Sequence, residues 1–213
     1  MYIELVDSLR CLNVHEDTWL VASVMRMDGR HIVDGTLGCP LCRREYRIRD
    51  AIGWFDDSTD DEPQRLSPSS RAAEDRVMRA AALLGLAEPG GIVVLGGSWG
   101  DCADGIADLG PAHVVVLNRS PTAASPQSVS TVVVGERLPF APGSVRAVAL
   151  DDALAATTLR SAAHTLRSRG RLVAPAAVPV PDDVVELARD AEEWVAERSV
   201  VASPPVTLRS SRR

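Results

Sequence analysis

Gly90-Gly-Ile-Val-Val-Leu-Gly-Gly-Ser-Trp-Gly100 is the stretch whose reading decides the fold. Ile92 to Leu95 is a short apolar run rich in β-branched residues, the pattern of a buried strand. Gly96, Gly97 and Gly100 follow at once, and from Asp101 to Leu109 the residues read as helix. Strand, glycine turn and helix form the unit with which α/β domains hold a nucleotide or nucleoside at a switch point of the sheet. Glycines there permit backbone angles and close approaches that a Cβ blocks. The spacing is not G-x-G-x-x-G and Trp99 is bulky, so a tight turn without a ligand is the competing reading.

Outward from this stretch, Arg71 to Leu86 is alanine-rich, with Val77, Ala80, Ala81 and Leu84 on one helical stripe. Gly85 and Pro89-Gly90-Gly91 end it. Downstream, His113–Leu117, Val129–Val134, Val145–Leu150 and Arg171–Ala174 read as further strands. Ala153 to Arg169 reads as helix, and so does Asp182 to Arg198, where Val185, Ala188, Ala191 and Val195 repeat at helical spacing. Val200–Ala202 and Val206–Leu208 read as a closing hairpin, followed by a basic tail. The alternation from Ile92 to Ala174 predicts an α/β fold with a mostly parallel sheet.

The first fifty-five residues have another character. Cys11 and His15 precede a strand over Thr18–Met27, a hairpin signal at Asp28-Gly29 and a returning strand over Arg30–Gly35. Cys39-Pro-Leu-Cys42 follows, and Tyr46 to Phe55 closes the unit. Two ligand pairs separated by a hairpin is the plan of a zinc ribbon, in which Cys and His supply a tetrahedron and the metal stands in for a core. Cys11, His15, Cys39 and Cys42 are the candidate ligands, with His31 and Asp34 as rivals of His15 for the fourth place. A surface histidine and a buried structural cysteine are the alternatives. Between the two units, Asp56 to Ser70 is acidic and then Ser/Pro-rich, which reads as a solvated linker. The expected division is therefore residues 1–55, a linker over 56–70, and an α/β domain over 71–213.

The 213 residues suffice for one α/β core with a small appendage. A formal charge of -6 argues against a broad basic surface for nucleic acid and leaves room only for a local patch. The apolar runs are too short to span a membrane and the amino terminus has no signal-peptide pattern, so a cytoplasmic location without membrane insertion is the expectation.

Residues 5 to 55 resemble the small zinc-ribbon proteins that accompany methyltransferases acting on tRNA and translation factors, and their free-standing bacterial relatives. The resemblance rests on a Leu-rich first segment, the two knuckles and the phrase Tyr46-Arg-Ile-Arg-Asp-Ala-Ile-Gly53, which resembles Y-P-I-R-D-G-I-P, with Ala51 and Gly53 standing where the family has Gly and Pro. Cys11, Cys39 and Cys42 fall on its ligand positions. The second cysteine of the first knuckle falls on Val14, next to His15. Such ribbons donate a strand or an apolar face to a methyltransferase, which implies packing on the chain's own second domain or docking on another protein.

From about residue 72 the chain resembles Rossmann-like class I S-adenosylmethionine-dependent methyltransferases. Ile92–Gly100 stands for I-L-D-L-G-C-G-T-G, Val115-Val-Leu-Asn-Arg-Ser-Pro121 for the strand ending G-V-D-I-S-P, and Gly135-Glu-Arg-Leu-Pro-Phe-Ala-Pro-Gly-Ser-Val-Arg-Ala-Val148 for D-A-E-x-L-P-F-x-D-x-S-F-D-x-V. The resemblance implies S-adenosylmethionine contacts at Gly96, Gly97, Gly100, Asn118 and Glu136. The departures fall in the same motifs: Val94 replaces an acid, Ser98 a glycine, and Asn118 the carboxylate expected to accept from the ribose hydroxyls.

Methyl transfer from a sulfonium needs alignment more than acid–base chemistry, so no catalytic residue is assigned. Asp151 and Asp152 are polar candidates at the end of the fourth strand, and capping of the next helix by Asp152 is the alternative. Cys102 reads as a packed cysteine, and His113 and His164 as surface residues. The sequence thus reads as a non-catalytic methyltransferase-like module, a pseudoenzyme that engages a protein partner. The alternative is an active S-adenosylmethionine-dependent methyltransferase acting on RNA or protein.

Overall fold

The computed structural model describes residues 1–56, 64–65, 74–110, 112–120 and 128–199. The chain begins with a 3-10 turn over Ile3–Ser8 and continues into strands β1 (Val21–Asp28), β2 (His31–Gly38), β3 (Glu45–Arg49) and β4 (Ile52–Trp54). A two-residue strand β5 (Gln64–Arg65) precedes helix α1 (Glu74–Leu83). Then come β6 (Ile92–Gly96), a 3-10 turn over Gly97–Cys102, α2 (Ala103–Leu109), β7 (His113–Leu117), β8 (Arg119–Ser120), β9 (Val129–Val133), β10 (Val145–Ala149) and α3 (Asp152–Thr165). Strands β11 (Leu166–Pro175), β12 (Val184–Arg189) and β13 (Glu193–Arg198) complete it.

Eleven strands form one mixed sheet in the order β1-β2-β3-β4-β9-β7-β6-β10-β11-β13-β12, and β5 pairs with β8 apart from it. The parallel part runs from β4 through β9, β7, β6 and β10 to β11, with antiparallel strands at both ends. The expected parallel sheet is thus the centre of a mixed one. Its central strands are buried on both faces, as continuous apolar runs such as His113–Leu117 require. Helices α1 and α2 cover one face over Val93, Leu95, Val114 and Val116. Helix α3 covers the other, and its core runs on without a break into Leu5, Leu9, Leu37, Tyr46 and Phe55 of the first segment.

The amino-terminal strands are therefore continuous with the α/β sheet. Strand β4 pairs in parallel with β9, Ile52 opposite Thr131 and Trp54 opposite Val133. Phe55 N donates to Val133 O at 2.8 Å and Arg10 N to Pro139 O at 2.8 Å. The choice between packing on the same chain and docking elsewhere, open from sequence, resolves here as packing on the same chain.

Three expectations need correction. Asp182–Arg198 is a hairpin rather than a helix: Asp190 Oδ1 accepts from the backbone of Glu192 and Glu193, closing the turn between β12 and β13. Pairing of β13 with β11 then buries Trp194, Val195 and Ala196 together, which one helical stripe could not do. The helix from Ala153 stops at Thr165, because Leu166 already pairs with Val145 of β10. The residue that caps it is Asp151, not Asp152. The expected hairpin and tail over 200–213, and all of the linker except Asp56 and Gln64–Arg65, lie outside the described residues.

Candidate functional site

Two places bring together the residues singled out from sequence. The first is a Cys3His cluster. Cys11 follows the short bridge that Arg10 makes to Trp19, His15 lies in the loop before β1, and Cys39 and Cys42 form the turn between β2 and β3. That turn closes with Cys39 N donating to Arg44 O at 2.8 Å and Arg43 N to Cys39 O at 2.9 Å, which puts Arg43 at a φ of 60°. The four ligand atoms all lie within 4.8 Å of one another. Cys11 Sγ is 3.6 Å from Cys42 Sγ, and Cys39 Sγ is 3.4 Å from His15 Nε2.

Four ligands about 2.3 Å from a tetrahedral ion stand about 3.8 Å apart, so these edges fit a metal of zinc's size. They are too long for a disulfide, whose sulfurs lie about 2 Å apart. The supporting groups are also in place. His15 Nδ1 is 2.6 Å from Glu16 O, which fixes the ring with Nε2 toward the thiols. Asn13 donates to Cys42 Sγ at 3.4 Å. The Tyr46 hydroxyl accepts from Leu12 N at 2.8 Å and lies 3.3 Å from Cys11 Sγ, in position to donate to it. Burial and this contact push the Tyr46 phenol up to about 12. The Cys42 thiol is lowered to about 6, chiefly by a backbone N–H at Arg44. Asp34 is instead held by Arg26 at 2.7 Å, and His31 stands beside the Tyr2 ring, so neither rival joins the cluster.

Asn13, Glu16 and Tyr46 were not foreseen as supports. Tyr46 sits in the quoted phrase at 46–53, but its role shows only when β3 carries the hydroxyl beneath Cys11.

The second place is the carboxyl end of the parallel strands, at the switch point between β6 and β10. The glycine loop here is itself a 3-10 turn, and its polar groups bond within the chain. Gly97 has a φ of 62°, and a Cβ added there would sit 1.7 Å from Asp151 Oδ2. The Asp151 carboxylate thus fills the space in front of Gly97, accepting from Ser98 N at 3.0 Å and from Leu154 N at 3.3 Å. Gly97 O accepts from Arg119 Nη1 at 3.1 Å, and Ser98 O accepts from Arg76 at 3.0 Å. Arg119 also pairs with Asp101 at 3.1 Å, both side chains mostly buried.

The other residues of the expected contact set are placed as follows. Gly96 is packed under α3, where a Cβ would meet Leu154 at 2.7 Å, and Gly100 is buried. Asn118, at a φ of 55°, donates to Val134 O at 2.9 Å and accepts from Val134 N at 2.7 Å. Its amide closes the end of β7 onto the end of β9. Glu136 is exposed in the loop after β9. Beside the loop lies an open cavity of about 430 Å³, walled by Trp99, Asp151 and Asp152 with Arg76, Arg79 and Glu193 at its rim. Cys102 is buried, which raises its thiol pKa, and His113 is half-buried rather than superficial.

No protein-family model and no curated protein matches this sequence. Solved structures similar to it include an S-adenosyl-L-methionine methyl transferase from Silicibacter pomeroyi, 16% identical, covering 62% of this chain and 92% of that one with a TM-score of 0.41. Another is the MycE methyltransferase of the mycinamycin biosynthetic pathway, seen with Mg, S-adenosylhomocysteine and mycinamycin VI: 11% identical, 62% and 49% covered, TM-score 0.47. A third is the [4+2]-cyclase SpnF, 13% identical, 55% and 51% covered, TM-score 0.41. This chain spans about half the length of the last two. At such identities the likeness is one of fold, and what those proteins bind or catalyse stays with them.

Proposed function

We propose that this protein is a non-catalytic, methyltransferase-like module, stapled by a zinc ion and built to engage a protein partner. The observation that carries the non-catalytic reading is the closed state of the glycine loop. A cofactor lying along it needs free backbone groups and open space before them. Here Asp151 fills the space in front of Gly97 and takes Ser98 N–H, and Arg119 and Arg76 take the two carbonyls. The Asn118 amide, offered by sequence in place of a ribose carboxylate, bonds twice to Val134. These residues do not fit S-adenosylmethionine.

Zinc at Cys11, His15, Cys39 and Cys42 is supported by three sulfurs and one imidazole at tetrahedral spacing, with a backbone carbonyl orienting the ring. Cys and His at short spacing favour zinc over the oxygen-preferring cations. The partner side of the reading is supported by β1, the open edge of the sheet among the described residues, where Val21 and Met25 are 63% and 74% exposed. A strand with unpaired backbone groups is a template for strand addition. The continuity of the sheet supports one functional unit across the expected divisions at residues 55 and 70.

The cavity beside Trp99 and Asp152 is what favours the second reading, an active methyltransferase acting on RNA or protein. Incubation of the zinc-loaded protein with methyl-labelled S-adenosylmethionine and total cellular RNA or protein separates the two. The module reading expects no label above the protein-free blank in either fraction. Protein-dependent labelling of one fraction would replace it with the enzyme.

A further inference from the structure

The outer face of the amino-terminal strands carries charge that the fold does not use. In β3, Tyr46 and Ile48 point into the core while Glu45, Arg47 and Arg49 stand exposed on the opposite face. Arg43, in the knuckle just before, is also exposed. Among the described residues Arg26 is paired with Asp34 and Arg30 with Glu4, but Arg43, Arg47 and Arg49 join no ion pair. The register sets Trp54 of β4 opposite Arg47, and the Arg49 guanidinium lies over the Trp54 ring at 5.0 Å. On the other side Thr36 faces Arg47 and Gly38 faces Glu45, so small residues keep the approach open. Near the start of β1, Trp19 is 67% exposed.

In a chain of net charge -6, three arginines within seven residues that pair with no acid among the described residues are a local positive field, which selects an anionic partner. The aromatic groups decide which. Arg49 stacked on Trp54 offers a cationic plane to a nucleobase, and the exposed Trp19 indole, with the Arg10 guanidinium over one face at 5.4 Å, offers its other face; carboxylates of an acidic peptide have no use for either. We propose that this face binds single-stranded RNA, through phosphate contacts at Arg43, Arg47 and Arg49 and base stacking, without sequence readout. The site is separate from the closed glycine loop, and it requires no methyl transfer.

The test is fluorescence anisotropy of a labelled oligouridine of about 15 nucleotides with the full-length, zinc-loaded protein, at about 50 to 200 mM salt. Polyglutamate serves as competitor. The expected result is a dissociation constant on the order of 10 µM at the lowest salt, and a slope of log affinity against log salt of about -2, for three phosphates. Arg47→Ala together with Arg49→Ala weakens binding about tenfold or more, with zinc content and thermal transition unchanged. Binding that is absent, insensitive to salt or unaffected by the double substitution overturns the proposal. Polyglutamate displacing the RNA at equal charge concentration also overturns it, and assigns the face to an acidic protein segment.

Discussion

His15 can present only Nε2 to the cluster, because Nδ1 faces Glu16 O at 2.6 Å. His15→Ala should weaken zinc binding by about a hundredfold or more, and Tyr46→Phe, which removes the hydroxyl from Cys11, by about tenfold. Competition with a chromogenic chelator measures both. The Cys3His cluster was legible in the sequence because Cys and His are scarce and their spacings suit a tetrahedron. Tyr46, Asn13 and Glu16 were not, since each acts through a contact made only when distant segments meet. Asn118 was half legible: the sequence showed an amide where a carboxylate belongs, but not that the amide closes on Val134. Ala51 is another residue whose part shows only in the fold. With Asp50 it forms the turn between β3 and β4 at φ values of 51° and 63°, where a Cβ is strained. Ala51→Gly should raise stability by about 1 kcal/mol in urea unfolding. At His113, burial lowers the pKa from 6.5 to about 4, so the folded state holds the ring neutral while the unfolded state takes a proton. Its contribution is complete above pH 6.5 and is lost as the pH falls toward 4, a loss on the order of 3 kcal/mol. His113→Gln should flatten the fall of Tm across that window.

At the scale of the strand and helix, the glycine loop shows what side chains from elsewhere can do to a local pattern. Residues 92–100 read correctly as strand and glycine turn, yet the cofactor contacts expected at Gly96, Gly97 and Gly100 need open space before the loop. Asp151, fifty-odd residues on, fills it in front of Gly97. Gly97→Ala should therefore destabilise by about 2 to 4 kcal/mol, from the collision with Asp151 and the positive φ. Pairing it with Asp151→Ala should restore part of this in the same denaturation experiment, while Asp151→Ala alone exposes an uncapped α3. The hairpin β12–β13 makes the complementary point. Val185, Ala188, Ala191 and Val195 suit a helix, but periodicity within seventeen residues carries no knowledge of the open edge of β11 that Trp194 and its neighbours complete. The central strands were readable because burial on both faces writes itself as an unbroken apolar run.

Across the whole molecule, the first fifty-five residues and the α/β part share one sheet and one core, a consequence of β4 joining β9. The sequence marked two compositional units and could not show that their sheets fuse, since strand pairing between distant segments leaves no local trace. Removing the metal should therefore lower the stability of the entire fold: a strong chelator is expected to shift a single thermal transition down by roughly 10 °C, corresponding to about 3 kcal/mol. Two separated transitions would mean that the amino-terminal strands melt alone. Closure of the glycine loop to the cofactor that its sequence suggests is tested by calorimetric titration of the zinc-loaded protein with S-adenosylmethionine and S-adenosylhomocysteine. No saturable heat is expected with either ligand up to about 1 mM, where even weak binding worth about 4 kcal/mol would register. Saturable binding in the low micromolar range would contradict it.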